Sequence, residues 1–175
     1  EEFATIIIAV IVLNQFIGPP LFKLAIFKLG EDRTRASTPD FDGTRDAIIF
    51  GYESQSLALA KQLADNGWDV QLATKLDQGS IDEPDDIKIQ YGIRFFNKEE
   101  FDLIDADKTE AIVCMLSDEE NLQICETAYH HFGTRDIIVR LNHRYNYDKF
   151  LALGAKIVDP STAIVSLLDH FVRSP

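Results

Sequence analysis

Residues 3–22, FATIIIAVIVLNQFIGPPLF, carry no formal charge, and any fold this chain adopts must find a place for them. Their polar side chains are confined to Thr5, Asn14 and Gln15. A bilayer core about 30 Å thick is crossed by a helix of about 20 mostly apolar residues, so the run is long enough to span one. A secretory leader would bring a basic start and a small-residue cleavage site; this chain starts Glu1-Glu2 and no such site follows. A buried core helix is the competing reading. The flanking charges favour the membrane. Lys23, Lys28, Arg33 and Arg35 all follow the run and no basic residue precedes it, which makes its C-terminal side cytoplasmic. Pro19-Pro20 is tolerable in a membrane helix whose neighbours re-satisfy the backbone. A chain that opens almost directly in such a helix, without an initiator methionine, reads as the C-terminal piece of a longer protein.

The remainder has a different character. The 175 residues carry 29 Asp and Glu against 17 Lys and Arg, a net charge of −12. That balance argues against a nucleic-acid partner, since phosphate backbones are gripped by clustered cations. Cys114 and Cys125 form neither a C-x-x-C pair nor a zinc pattern, and each sits in an apolar or helical context, as buried thiols in a reducing compartment do.

From residue 44 onward, short apolar runs alternate with helical patterns, after a turn-rich polar linker over 31–43. Strands are expected at 46–50, 69–74, 87–91, 111–116, 136–141 and 156–159. Helices are expected at 55–66, 98–105, 117–132, 145–153 and 161–173, with Gly67, Gly133 and Gly154 as stop signals. Ser117 with Glu120 three residues on is a capping-box pattern. The loop over 78–86 holds the acidic run Asp82, Glu83, Asp85 and Asp86, read as solvated. This alternation predicts βαβ units and a doubly wound, mainly parallel six-stranded α/β sheet of Rossmann type, preceded by an N-terminal apolar helix. The domain reading is a membrane-helix end over 1–30, a linker over 31–43 and the α/β domain over 44–175. A ligand site is expected at the carboxyl ends of strands one and four, the topological switch point.

A dinucleotide fold would place G-x-G-x-x-G after strand one, where the glycines make the turn, admit the pyrophosphate and let helix pack on strand. Here the turn reads Gly51-Tyr52-Glu53-Ser54-Gln55-Ser56. Ser56 is a mild change. Glu53 sets an anionic side chain where phosphate would approach. The ribose-binding acid at the end of strand two is replaced by Thr74-Lys75. His130-His131 would point apart as metal ligands, and His143 and His170 are isolated. No nucleophile motif stands out.

Several stretches nevertheless resemble one family. They are IIFGYxSxSLALAKQLADNGWDV from residue 48, YG at 91–92, SDEENLQICETAYHHFG from 117, IIVRLN from 137 and LALGAKIVDPSTAI from 151. Together they resemble a TrkA-N domain, the regulatory Rossmann module also called RCK or KTN. The stretch NQFIGPPLFKLAIFKLGE resembles the last membrane helix of monovalent cation:proton antiporters, whose Kef-type members carry such a domain. The resemblance implies a nucleotide site, for NAD(H), AMP or ATP, at Gly51, Tyr52, Ser54, Thr74, Lys75, Ser117 and Asn121, with Arg140 nearby. Glu53 would weaken it, and Ile93 stands where the family commonly has an acid.

Two function classes follow. One is a non-catalytic cytosolic regulatory domain of a potassium or sodium antiporter at the inner membrane, sensing a nucleotide or other small ligand, mediating dimerisation, or both, whose partner is the membrane part of the same transporter. The other is the cofactor domain of a soluble NAD(P)-dependent oxidoreductase. The second would need an intact phosphate turn and leaves the apolar head unexplained. Within the first, Ala163, Ile164, Leu167, Leu168, Phe171 and Val172 make a stripe wide enough for the 161–173 helix to pair two copies. The competing expectation is that this stripe packs on the chain's own sheet.

Overall fold

The computed structural model describes residues 7, 11–12, 14–23, 35–80, 84 and 86–173. The chain divides into two compact units, Glu1–Thr34 and Arg35–Pro175. In the first, residues 14–23 are helical. No helix of the described residues is long and apolar enough to cross a membrane. The expected span over 3–22 falls partly outside the described residues, as do Asp82, Glu83 and Asp85 of the acidic loop.

In the second unit, six strands form one all-parallel sheet: β1 (Asp46–Phe50), β2 (Asp69–Ala73), β3 (Lys88–Gln90), β4 (Ala111–Cys114), β5 (Asp136–Arg140) and β6 (Lys156–Val158). Their order is β3-β2-β1-β4-β5-β6. The chain builds outward from β1 through β3, then returns to lay β4 on the other side of β1. That reversal leaves a crevice at the carboxyl ends of β1 and β4, the place where doubly wound sheets receive ligands.

Four helices flank the sheet, α1 (Ser54–Asp65), α2 (Lys98–Asp102), α3 (Asp118–Thr127) and α4 (Tyr147–Ala152), and α5 (Pro160–Arg173) follows β6. Three differ from the sequence expectation. Helix α2 ends at Asp102, short of the expected residue 105. The helix after β4 is α-helical only to Thr127 and closes in a π turn over Ala128–Phe132. The segment before α4 begins as a 3₁₀ turn at Arg144–Asn146.

Alternation along the central strands supplies two cores. Ile48, Phe50, Ile112 and Cys114 face one layer, while Ile49 and Val113 face the other. The larger layer is aromatic. Phe50 stacks on Phe101 with ring centroids 5.2 Å apart, and Phe101 meets Phe132 at 5.4 Å. Cys114 and Cys125 are both fully buried and unbridged there, with Sγ atoms 3.9 Å apart. Burial, with the Cys125 thiol beside it, pushes the Cys114 thiol well up, so Cys114 behaves as a small apolar side chain.

Helix α5 contributes to neither core. Every residue from 161 to 173 is exposed, including Leu167, Leu168, Phe171 and Val172 of the apolar stripe. The expectation that the stripe packs on the chain's own sheet is not met.

Candidate functional site

The crevice is floored by the turn after β1. Gly51 has φ 120°, a conformation side chains rarely adopt, and its N–H donates to Ala73 O at 2.9 Å. A Cβ there would meet Met115 O, just past β4, at a tight 3.3 Å, so the backbone angle calls for glycine and the close neighbour adds to that preference. Ser56, at the third glycine position, is fully buried. Its Oγ accepts from Glu53 N and donates to Glu53 O, both at 2.8 Å, which ties the turn to the first turn of α1. Serine is thus a working replacement for the packing glycine.

Glu53 is not one. It stands where the second glycine would admit a phosphate, and its carboxylate forms an ion pair with Arg140 Nη1, reaching across from the end of β5. The same Nη1 lies 3.4 Å from Gln55 Oε1, and Nη2 donates to Met115 O at 2.7 Å. Nε is buried with no acceptor among the described residues. The Arg140 side chain has four-fifths of its surface covered, so this pair is less screened than an open surface one.

A second ion pair lies nearby. Lys75, just past β2, pairs with Glu120 of α3. Glu120 Oε2 also accepts from Ser117 Oγ at 2.7 Å and Ser117 N at 3.2 Å, completing the capping box read from the sequence. Burial alone would raise the Glu120 carboxyl, but the Lys75 and Ser117 bonds outweigh it and hold it below the usual glutamate range.

Thr74 and Asn121 are turned to framework duty. Thr74 Oγ1 accepts from Leu76 N at 3.2 Å, and its backbone bridges Gln90 O and Ile93 N. Asn121 is fully buried. Its Oδ1 accepts from Leu116 N, while Nδ2 donates to Leu116 O and Arg140 O, so it clamps the ends of β4 and β5 together. Tyr52 is half-buried against the smaller core, and Ser54 is exposed at the start of α1. All eight residues singled out by sequence lie at the carboxyl edge of β1, β2, β4 and β5. Lys75 meets Ser117 through Glu120; Arg140 meets Asn121 directly.

Sequence reasoning missed Asp118. Its side chain is 4% exposed, yet it accepts from Asn142 N (2.9 Å), Asn142 Nδ2 (3.1 Å), His143 N (2.8 Å) and Asn146 Nδ2 (2.9 Å). Burial works to raise this carboxyl, and the four donors together hold it below the usual aspartate range. It welds the start of α3 to the loop after β5. The only hint in the sequence is an acid at a helix start and two asparagines spaced by four, Asn142 and Asn146. Beside it a cavity of about 360 Å³ opens on the β4–β5 side, lined by Ser117, Arg140 and Tyr145 among others. A further cavity of about 280 Å³ sits at the opposite, amino edge of the sheet, between Asp46, Asp69 and Lys108, away from the switch point.

Comparison with known proteins places this geometry. The family model of the TrkA-N domain matches residues 47–160. Among solved structures, the chain is similar to the TrkA-N domain of the inner membrane protein YbaL from Escherichia coli, with 16% identity and a TM-score of 0.63, covering 75% of this chain and 99% of that one. It is similar to the Kef C-terminal domain of Shewanella denitrificans in its AMP-bound form, with 21% identity and a TM-score of 0.58, covering 74% and 83%. It is also similar to the GsuK channel bound to NAD, with 20% identity and a TM-score of 0.59, covering 89% of this chain and 30% of that one. No curated protein matches the sequence.

Proposed function

The chain belongs to the TrkA-N domain family, and from that premise we propose that it is the cytosolic regulatory domain of a Kef-type monovalent cation:proton antiporter. In this reading residues 1–30 end the membrane part of the same transporter at the inner membrane, and 44–175 form a non-catalytic sensor that faces the cytoplasm. The crevice at the β1–β4 switch point takes a nucleotide such as AMP, ATP or NAD(H), and α5 pairs two copies. Support comes from the AMP-bound Kef domain and the NAD-bound GsuK channel, both similar in fold, and from the charge-free run at 3–22.

The observation that sets the expected affinity in this reading is the Glu53–Arg140 pair. A phosphate approaching the β1 turn meets a carboxylate, and the guanidinium that would receive it is already engaged. NAD(H), ATP and AMP are therefore expected to bind more weakly than is usual for this fold. Glu53→Gly removes the charge, restores the approach and frees Arg140. Since a hydrogen bond to a charged group is worth about 1.5–3 kcal/mol, the variant is expected to bind AMP or NADH about 10–100-fold more tightly. Calorimetry with NADH, ATP and AMP on both proteins checks this. Submicromolar NADH binding by the parent, or no gain in the variant, overturns it.

A further inference from the structure

Helix α3 begins at the crevice and ends under the linker. Residues 35–37 lie against that far end. Arg35 Nη2 donates to Thr134 O at 2.9 Å, and the guanidinium sits 5.7 Å from the Tyr129 ring centroid. Ala36 N donates to Tyr129 O at 3.0 Å. Beneath them is Gly133, left-handed at φ 59° and ψ 25°. A Cβ built there would meet Ala36 O at 2.6 Å and Ser37 O closer still, so no side chain fits while the linker is seated. Gly154 has a similar φ of 68° and nothing within 4 Å, so it is present for its backbone angle alone.

The helix end that presents Gly133 is itself unusual. Ala128–Phe132 is a π turn, a form that recurs at functional positions because it is rarely the most stable choice. Between the two ends the element is locked in the core. Asn121, Ile124, Cys125 and Ala128 are fully buried, and Phe132 packs on Phe101. At about 1.5 Å per residue, the rod from Ser117 to Gly133 spans about 24 Å.

We propose that residues 35–37 form a strap, and that its seating on Gly133 and the order of the crevice end of α3 are a single cooperative equilibrium. Occupation of the crevice and seating of the strap then bias each other, and by linkage the bias is equal in both directions. The proposal rests on the regulatory reading only for calling the crevice a ligand site. Its test uses no ligand, so the two fail separately.

The test is residue-resolved amide exchange on the full chain, comparing the parent with Gly133→Ala and Gly154→Ala. Gly133→Ala is expected to speed exchange at Ala36 roughly tenfold or more, and to speed it at Asn121, whose N–H donates to Ser117 O at 2.8 Å. Gly154→Ala, which adds strain without touching the strap, should change neither. Asn121→Ala, acting from the crevice end, should speed exchange at Ala36. If Gly133→Ala does not fold, Arg35→Ala tests the same seat from the linker side. Protection retained at Ala36 in the Gly133 or Arg35 variant overturns the strap. A loosened Ala36 with Asn121 unchanged overturns the coupling, as does an equal response to Gly154→Ala.

Discussion

Replacing Asp118 with alanine is expected to lower stability by about 2–3 kcal/mol, because a hydrogen bond to a charged group is worth about 1.5–3 kcal/mol and, of the partners, only Asn146 is itself buried. The carboxylate receives four hydrogen bonds from Asn142, His143 and Asn146 at 2.8–3.1 Å, and alanine returns none of them. Asp118→Asn would fare little better, because the amide nitrogen it introduces would face donors. The effect also carries a pH signature. Folding lowers the Asp118 pKa, so the stabilisation is complete above the ordinary aspartate range and is lost as pH falls through the lowered folded value. Denaturant unfolding of parent and variant from neutral into acid pH measures both. The parent should lose its advantage over Asp118→Ala only in acid. A variant within about 1 kcal/mol of the parent at neutral pH would mean the hub is not holding the loop.

If α5 pairs two copies as proposed, Leu168→Glu and Phe171→Glu are expected to weaken self-association about 100-fold or more, near 3 kcal/mol, by placing a charge in the centre of the proposed α5 interface. Both side chains are exposed in the single chain, at 59% and 66%, so neither change should disturb the protomer's fold. That separation makes the result readable: circular dichroism and unfolding stay as in the parent while sedimentation shifts to the monomer. A monomeric parent, or charged variants that remain dimeric, would rule out α5 as the seam.

The sheet was legible because its strands are short runs of Ile, Val and Ala between turn residues, a pattern that leaves few alternatives to a parallel layer buried on both faces. The start of α3 was legible for a local reason: Ser117 and Glu120 sit three apart and cap each other. Its end was not, since a π turn differs from an α turn by one step of hydrogen bonding and has no residue pattern of its own. The site divides the same way. Glu53 declares itself by breaking a local glycine spacing. Its partner Arg140 lies 87 positions away, and only the order of β1, β4 and β5 brings them together. Asp118 looked like an ordinary first-turn acid because half of its partners are backbone amides, which no side-chain pattern reports.

The Glu53 carboxylate is tethered two residues from the floor of the crevice and travels with it. Such a group acts as a competitor at fixed effective concentration, in the millimolar range for a short tether. A visiting anion binds only in the fraction of molecules whose Arg140 is released, and its apparent dissociation constant is the intrinsic one divided by that fraction. The tether therefore raises the threshold for every anionic visitor that uses Arg140 by the same factor. It leaves their ranking unchanged. Under the proposed ligand reading, a crevice built this way would be deaf to traces and would answer only to abundant anions.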